Sequence, residues 1–123
     1  MARILVVEDD EPLRSLYKYD LEEEGYEVII AEDGKTALKS LEQLPCDLII
    51  LDIRMPEMDG LEALAKIVSR QKKIPVIIHT AYLPRKGEIP SGLADATLTK
   101  SADLSVLKRT VRDLLESYRK RER

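Results

Sequence analysis

Short apolar runs and helix-forming stretches alternate along the whole chain, and few folds accept that order. Five β-like runs stand out, at 4–7, 27–31, 47–51, 75–80 and, more weakly, 96–99. Most are apolar on both faces, a pattern suited to strands inside a parallel sheet that helices cover on each side. The stretches between them have helical spacing. Leu13, Leu16, Tyr17 and Leu21 form one stripe, opened by Pro12 behind acidic capping residues and stopped by Gly25. Ala37, Leu38, Leu41 and Leu44 form a second between a capping Asp33 and Pro45, and Leu61, Leu64, Ile67 and Val68 a third before Pro75. The last helix aligns Leu104, Leu107, Val111, Leu114 and Tyr118, and its charged end from Arg119 onward is expected to fray. This order predicts an α/β fold, an open parallel sheet with right-handed crossovers and helices on both faces. In such sheets ligands gather beyond the carboxyl ends of the strands, where strand order reverses.

With 123 residues, 44% of them apolar, the chain has the size of one domain, and no linker or repeat divides residues 1–123. The net charge of -3 gives no nucleic-acid footprint, so no direct binding to DNA or RNA is expected. The first apolar run meets Glu8-Asp9-Asp10-Glu11 too soon for a signal sequence, and no later run reaches membrane-spanning length; a cytoplasmic protein without membrane contact is expected. A lone Cys46 excludes an internal disulfide and a cysteine zinc cluster, and reads as a small, partly buried residue.

The strand ends carry the chemistry. Glu8, Asp9 and Asp10 follow the first run, Asp52 the third, Thr80 the fourth and Lys100 the fifth. Crowded carboxylates need shared protons or a cation between them, and an oxygen-only donor set suits a hard ion such as Mg²⁺. Carboxylates, Mg²⁺, an ammonium and a hydroxyl together make a site for a phosphoryl group. Asp52 is the best candidate nucleophile, standing alone at the end of the most apolar strand, while the grouped acids after the first strand suit a metal. Met55-Pro56 and Asp59-Gly60 are expected to turn the chain away and leave the carboxylate at the rim. His79, beside Thr80, reads as an ordinary strand-end residue, and Glu22-Glu23-Glu24 as a solvated helix end.

The segments ILVVEDDEPLR, DLIILDIRMPEMDG, PVIIHTAY and LTKS resemble, in order and spacing, the receiver domain of two-component response regulators. That resemblance implies a flavodoxin-like three-layer sandwich with strand order 2-1-3-4-5, the order that a chemotaxis receiver exemplifies in general accounts of this fold. It implies that Asp52 is the phosphoacceptor, served by a sensor histidine kinase or a histidine phosphotransfer protein. Asp9 would bind Mg²⁺ directly and Glu8 through water, with Asp10 the substitute if the acidic pair is displaced by one residue. Asp52 and the backbone carbonyl of Arg54 would complete the protein ligands. Thr80 corresponds to the switch hydroxyl, Lys100 to the lysine that pairs with the phosphoryl oxygen, and Arg54 and Tyr82 to the positions that govern phosphoryl lifetime. Replacing both of the last two with small residues is expected to speed dephosphorylation.

Three departures bear on the readout. Thr97 stands where the family usually has the Tyr or Phe of a rotamer switch. Ser101 stands where members commonly have a proline in a cis peptide, leaving the Lys100-Ser101 bond open to either form. Pro84, Gly87, Pro90 and Gly92 interrupt the stretch that normally makes the fourth helix, so that helix is expected to be irregular or shortened. The surface it would help to build serves output and dimerisation in the family, so a homodimer and an unnamed effector protein remain open as partners. The chain reads as a signalling domain rather than an enzyme. An aspartyl-phosphate phosphatase would want a second acid where Arg54 stands; a phosphorylation-independent interaction module is the alternative.

Overall fold

The computed structural model describes residues 1–53, 60–70, 74–82, 84–85, 87–89, 92–101 and 104–121. Its elements run β1 (Arg3–Val7), α1 (Glu11–Glu23), β2 (Glu27–Ala31), α2 (Gly34–Gln43), β3 (Leu48–Leu51), α3 (Gly60–Arg70), β4 (Val76–Thr80), β5 (Ala96–Thr99) and α4 (Ser105–Arg121). The strands form one parallel sheet in the order β2-β1-β3-β4-β5. Growth of the sheet therefore reverses between β1 and β3, the crevice where the sequence places its acids.

Alternation along the strands divides the core into two layers. Leu5, Val7, Ile49, Leu51, Val76 and Ile78 pack with Ala37 and Leu41 of α2 and Leu64 and Ile67 of α3. Ile4, Val6, Leu48, Ile50 and Ile77 pack on the other face with Tyr17 and Leu21 of α1 and Leu107 and Val111 of α4. Both layers exclude water, which is why β1, β3 and β4 read as uninterrupted apolar runs. The outer members of two stripes, Leu16 and Leu44, are 39% and 40% exposed and stand outside the core. The side chain of Leu61 and the turn expected at 55–60 lie outside the described residues.

Local chemistry sets the ends of the elements. Asp10 caps α1 by accepting from the Leu13 N–H at 3.1 Å, and Asp33 caps α2 by accepting from the Thr36 N–H at 2.8 Å. Gly25, at φ +94°, ends α1: its N–H bonds the Glu22 carbonyl and the next N–H, of Tyr26, reaches Leu21. β3 and β4 begin one residue later than expected. Asp47 is taken up by Arg3, whose N–H donates to its carboxylate, and Pro75 has no N–H to give a ladder. α4 continues past Arg119 to Arg121, and Lys120 pairs with Glu116 one turn earlier.

Among the described residues no helix stands between β4 and β5, as the prolines and glycines require. Gly87 and Gly92 adopt φ of +85° and +87°, which a right-handed helix does not contain. Ile89, Leu93 and Ala94 instead lay a partly buried cover over the α2/α3 layer. On the edge strand β5, Ala96 and Leu98 face the α1/α4 layer while Thr97 and Thr99 are exposed. Among the described residues no peptide bond is cis, the Lys100-Ser101 bond included.

Candidate functional site

Four strand ends meet on one edge of the sheet. The ladder extends one residue past β1 and β3, since the Glu8 N–H bonds the Ala31 carbonyl at 3.0 Å and the Asp52 N–H bonds the Val7 carbonyl at 3.1 Å. Glu8 and Asp52 thereby have backbones as fixed as those of the strands, and their side chains are 1% and 5% exposed. Asp9 sits beside them at the surface, and carboxylate oxygens of Glu8, Asp9 and Asp52 lie within 4.8 Å of one another. The Lys100 N–H donates to the Thr80 carbonyl at 2.7 Å, which brings the ends of β4 and β5 together.

Among the described residues, Lys100 pairs with two acids of this cluster. Its Nζ lies 2.6 Å from Glu8 Oε1 and 2.7 Å from Asp52 Oδ2. Burial of the ammonium works against its charge, but the bonds to Asp52 and Glu8 outweigh that and hold its pKa above the usual lysine value. For Glu8 the balance goes the other way. Burial pushes its carboxyl up to about 7, reinforced by Asp9 and opposed by Lys100 and the Asp10 N–H. Three acids crowd around Lys100 with oxygen donors alone, so these residues fit a hard divalent cation such as Mg²⁺. Thr80 adds a buried hydroxyl to these strand ends. Its Oγ1 is fully buried and has no hydrogen-bond partner among the described residues, a state that costs about 1–3 kcal/mol unless a ligand atom meets it.

The sequence brings Glu8, Asp9, Asp52, Thr80 and Lys100 to one place. Asp10 stands apart, its carboxylate spent on the α1 cap. Tyr82 is 76% exposed just beyond β4, Thr97 is exposed on β5, and Arg54 lies outside the described residues. Two features go beyond the sequence reading. Arg14 Nη1 donates to the carbonyls of Glu8 and Asp9, both at 3.0 Å, and so pins the acidic turn from the first turn of α1. Tyr17 and His79, buried on the α1/α4 side, are hydrogen-bonded to each other. At the opposite end of the sheet a cavity of about 670 Å³ is lined by Ala2, Tyr26, Cys46, Asp47, Arg112 and Tyr118 among others, and none of the site residues reaches it. Burial pushes the Cys46 thiol up to about 11, in keeping with an inert thiol.

The model of the response regulator receiver domain matches residues 4–112. The chain belongs to that family. Receiver domains of this kind are the phosphorelay input modules of two-component response regulators, and the strand order matches theirs. Response regulator protein TrrA from Thermotoga maritima, solved in complex with Mg²⁺-BeF, is 42% identical, with a TM-score of 0.87 over 93% of this chain and 99% of that one. TrrA in complex with histidine kinase ThkA gives 43% identity and a TM-score of 0.86 over 94% and 99%. The transcriptional regulatory protein GlrR of Escherichia coli is 40% identical over 94% of this receiver domain, which spans only 26% of that relative's length. Among the described residues, no helix of the receiver is long and apolar enough to cross a membrane.

Proposed function

We propose that this receiver takes a phosphoryl group on Asp52 from a histidine kinase or a histidine phosphotransfer protein. The observation that carries the reading is the joint one at the strand ends: three carboxylates within 4.8 Å, Lys100 bonded to Asp52, and a buried Thr80 hydroxyl with no partner among the described residues. A carboxylate oxygen of Asp52 attacks phosphorus, the bond from phosphorus to the donor nitrogen breaks, and the imidazole leaves with its electron pair. Lys100 moves its charge from the carboxylate pair toward the new phosphoryl oxygens, and Thr80 donates its hydroxyl proton to one of them.

Glu8, Asp9, Asp52 and the Arg54 carbonyl would hold Mg²⁺, which supplies charge neutralisation of the transferred group. Arg14 keeps the acidic turn in place for that task. Asp10 is left to its cap. Support for Mg²⁺ and for a kinase partner comes from the TrrA structures, which carry Mg²⁺-BeF in one case and a histidine kinase in the other. Arg54 and Tyr82 stand at the sequence positions that would govern phosphoryl lifetime by limiting access of water. The exposed Thr97 offers no ring to rotate, so activation passes to a partner by another route.

Intact mass after incubation with acetyl phosphate tests the reading. The native protein should gain one phosphoryl group only with Mg²⁺, and Asp52→Asn should gain none. Absence of any gain in folded, Mg²⁺-bound protein would leave the phosphorylation-independent interaction module as the better reading.

A further inference from the structure

Tyr17 and His79 place a polar contact inside the largely apolar α1/α4 layer. Tyr17 and His79 are 1% and 3% exposed, their rings meet edge to face with centroids 5.5 Å apart, and the Tyr17 hydroxyl bonds His79 Nδ1. Strand alternation aligns His79 with Ile77 on β4, Asp52 with Ile50 on β3 and Glu8 with Val6 on β1, so the pair lies on the same side of the sheet as both buried acids. Burial, reinforced by the nearby Lys100 charge, pushes the imidazole down to about 4, and burial raises the phenol above its usual value. Both rings are therefore neutral at physiological pH: the phenol donates and Nδ1 accepts, which puts the ring proton on Nε2. His79 pairs with Leu98 and Thr80 with Thr99 across the β4–β5 ladder, and Thr99 directly precedes Lys100.

We propose that Tyr17 and His79 are a positioning pair that ties the ends of β4 and β5 to α1, setting Lys100 against Asp52 and Glu8 and passing any movement of Lys100 to α1. This rests on the reading of Asp52 as phosphoacceptor. Packing alone does not require these residues, because Leu or Phe would fill an apolar layer without a polar pair to satisfy. A buried pair of this kind resists separation, since parting it leaves two unsatisfied groups in a low-dielectric layer. His79 is flanked by Thr80, whose carbonyl holds the Lys100 N–H. Displacement of Lys100 is thus felt at His79 through two backbone neighbours, and at α1 through the phenol. The pair offers α1 a link to the site in a chain whose position 97 has no aromatic ring.

Because His79 is the only histidine, its ring nitrogens can be followed by NMR without ambiguity. In the native protein they should report an Nε2–H tautomer with a hydrogen-bonded Nδ1, and should shift when Mg²⁺ and beryllium fluoride are added, together with α1 amides. Phosphorylation by acetyl phosphate should slow by roughly three- to tenfold in Tyr17→Phe, the effect of losing one hydrogen bond. His79→Leu should slow it equally and the double variant no further, since all three lose the same contact. His79→Asn, which retains an acceptor near the Nδ1 position, should recover most of the rate, and Mg²⁺ affinity should stay within about twofold throughout, because the metal-facing acids are untouched. A purely structural pair would lower thermal stability while leaving the rate of the folded protein and the beryllium fluoride response of α1 unchanged, and that result would overturn the proposal. If the native protein takes up no phosphoryl group, the assignment of Asp52 fails first and the pair's role falls with it.

Discussion

Glu8 is the most strained ionisable group of the site, a carboxylate 1% exposed that shares one lysine with Asp52. Its pKa of about 7 in the folded protein against 4.5 in the unfolded chain fixes the sign of a pH effect. Below 4.5 both states hold the proton. Between 4.5 and 7 only the folded state does, so the Glu8 contribution to stability without metal falls as pH rises through that window, by on the order of 2–3 kcal/mol. Urea unfolding at pH 5 and pH 7.5 should show this loss as the difference between the native protein and Glu8→Gln, because the His79 imidazole, pushed down to about 4, makes stability rise with pH in both. An equal slope in both would remove Glu8 as its source. The acids themselves were legible because they stand where apolar runs stop, grouped after β1 and alone after β3. The partnership of Tyr17 with His79 was not: Tyr17 falls in an apolar helical stripe, His79 in a strand, and the contact spans 62 residues.

Helix starts and stops follow from single residues, and Asp10, Asp33 and Gly25 act as their types suggest. An irregular or shortened helix between β4 and β5 was equally readable from Pro84, Gly87, Pro90 and Gly92, and none stands there among the described residues. How that connection is tied down was not readable. Asp95 accepts from the Val76 N–H at 2.9 Å with one oxygen and from the Tyr118 hydroxyl at 2.7 Å with the other, joining the starts of β4 and β5 to α4. Nothing in local sequence distinguishes Asp95 from a solvated loop acid. Asp95→Ala should lower unfolding stability by about 1.5–3 kcal/mol, and Tyr118→Phe by about 0.5–1.5 kcal/mol. Since Asp95 lies at the amino ends of the strands, phosphorylation of Asp52 should proceed at the native rate in both. A slowed reaction in Asp95→Ala, measured on folded protein, would mean that the latch reaches the site.

Taken as one body, the receiver joins a scaffold that its sequence largely declares to a readout that it does not. Parallel order, two covered faces and a crevice between β1 and β3 follow from apolar runs alternating with helical stripes, because only buried parallel strands are apolar on both sides. The route of activation depends on contacts among distant elements, with Thr97 exposed, no described helix between β4 and β5 and a polar pair behind the acids. All of it presupposes that Asp52 accepts the phosphoryl group. Reduction with sodium borohydride converts an aspartyl phosphate to homoserine, and peptide mapping by mass spectrometry then locates it. Homoserine should form at position 52 alone, and only when Mg²⁺ and acetyl phosphate are both present. Conversion at position 9 or 10 instead, or none in folded protein, would contradict the assignment.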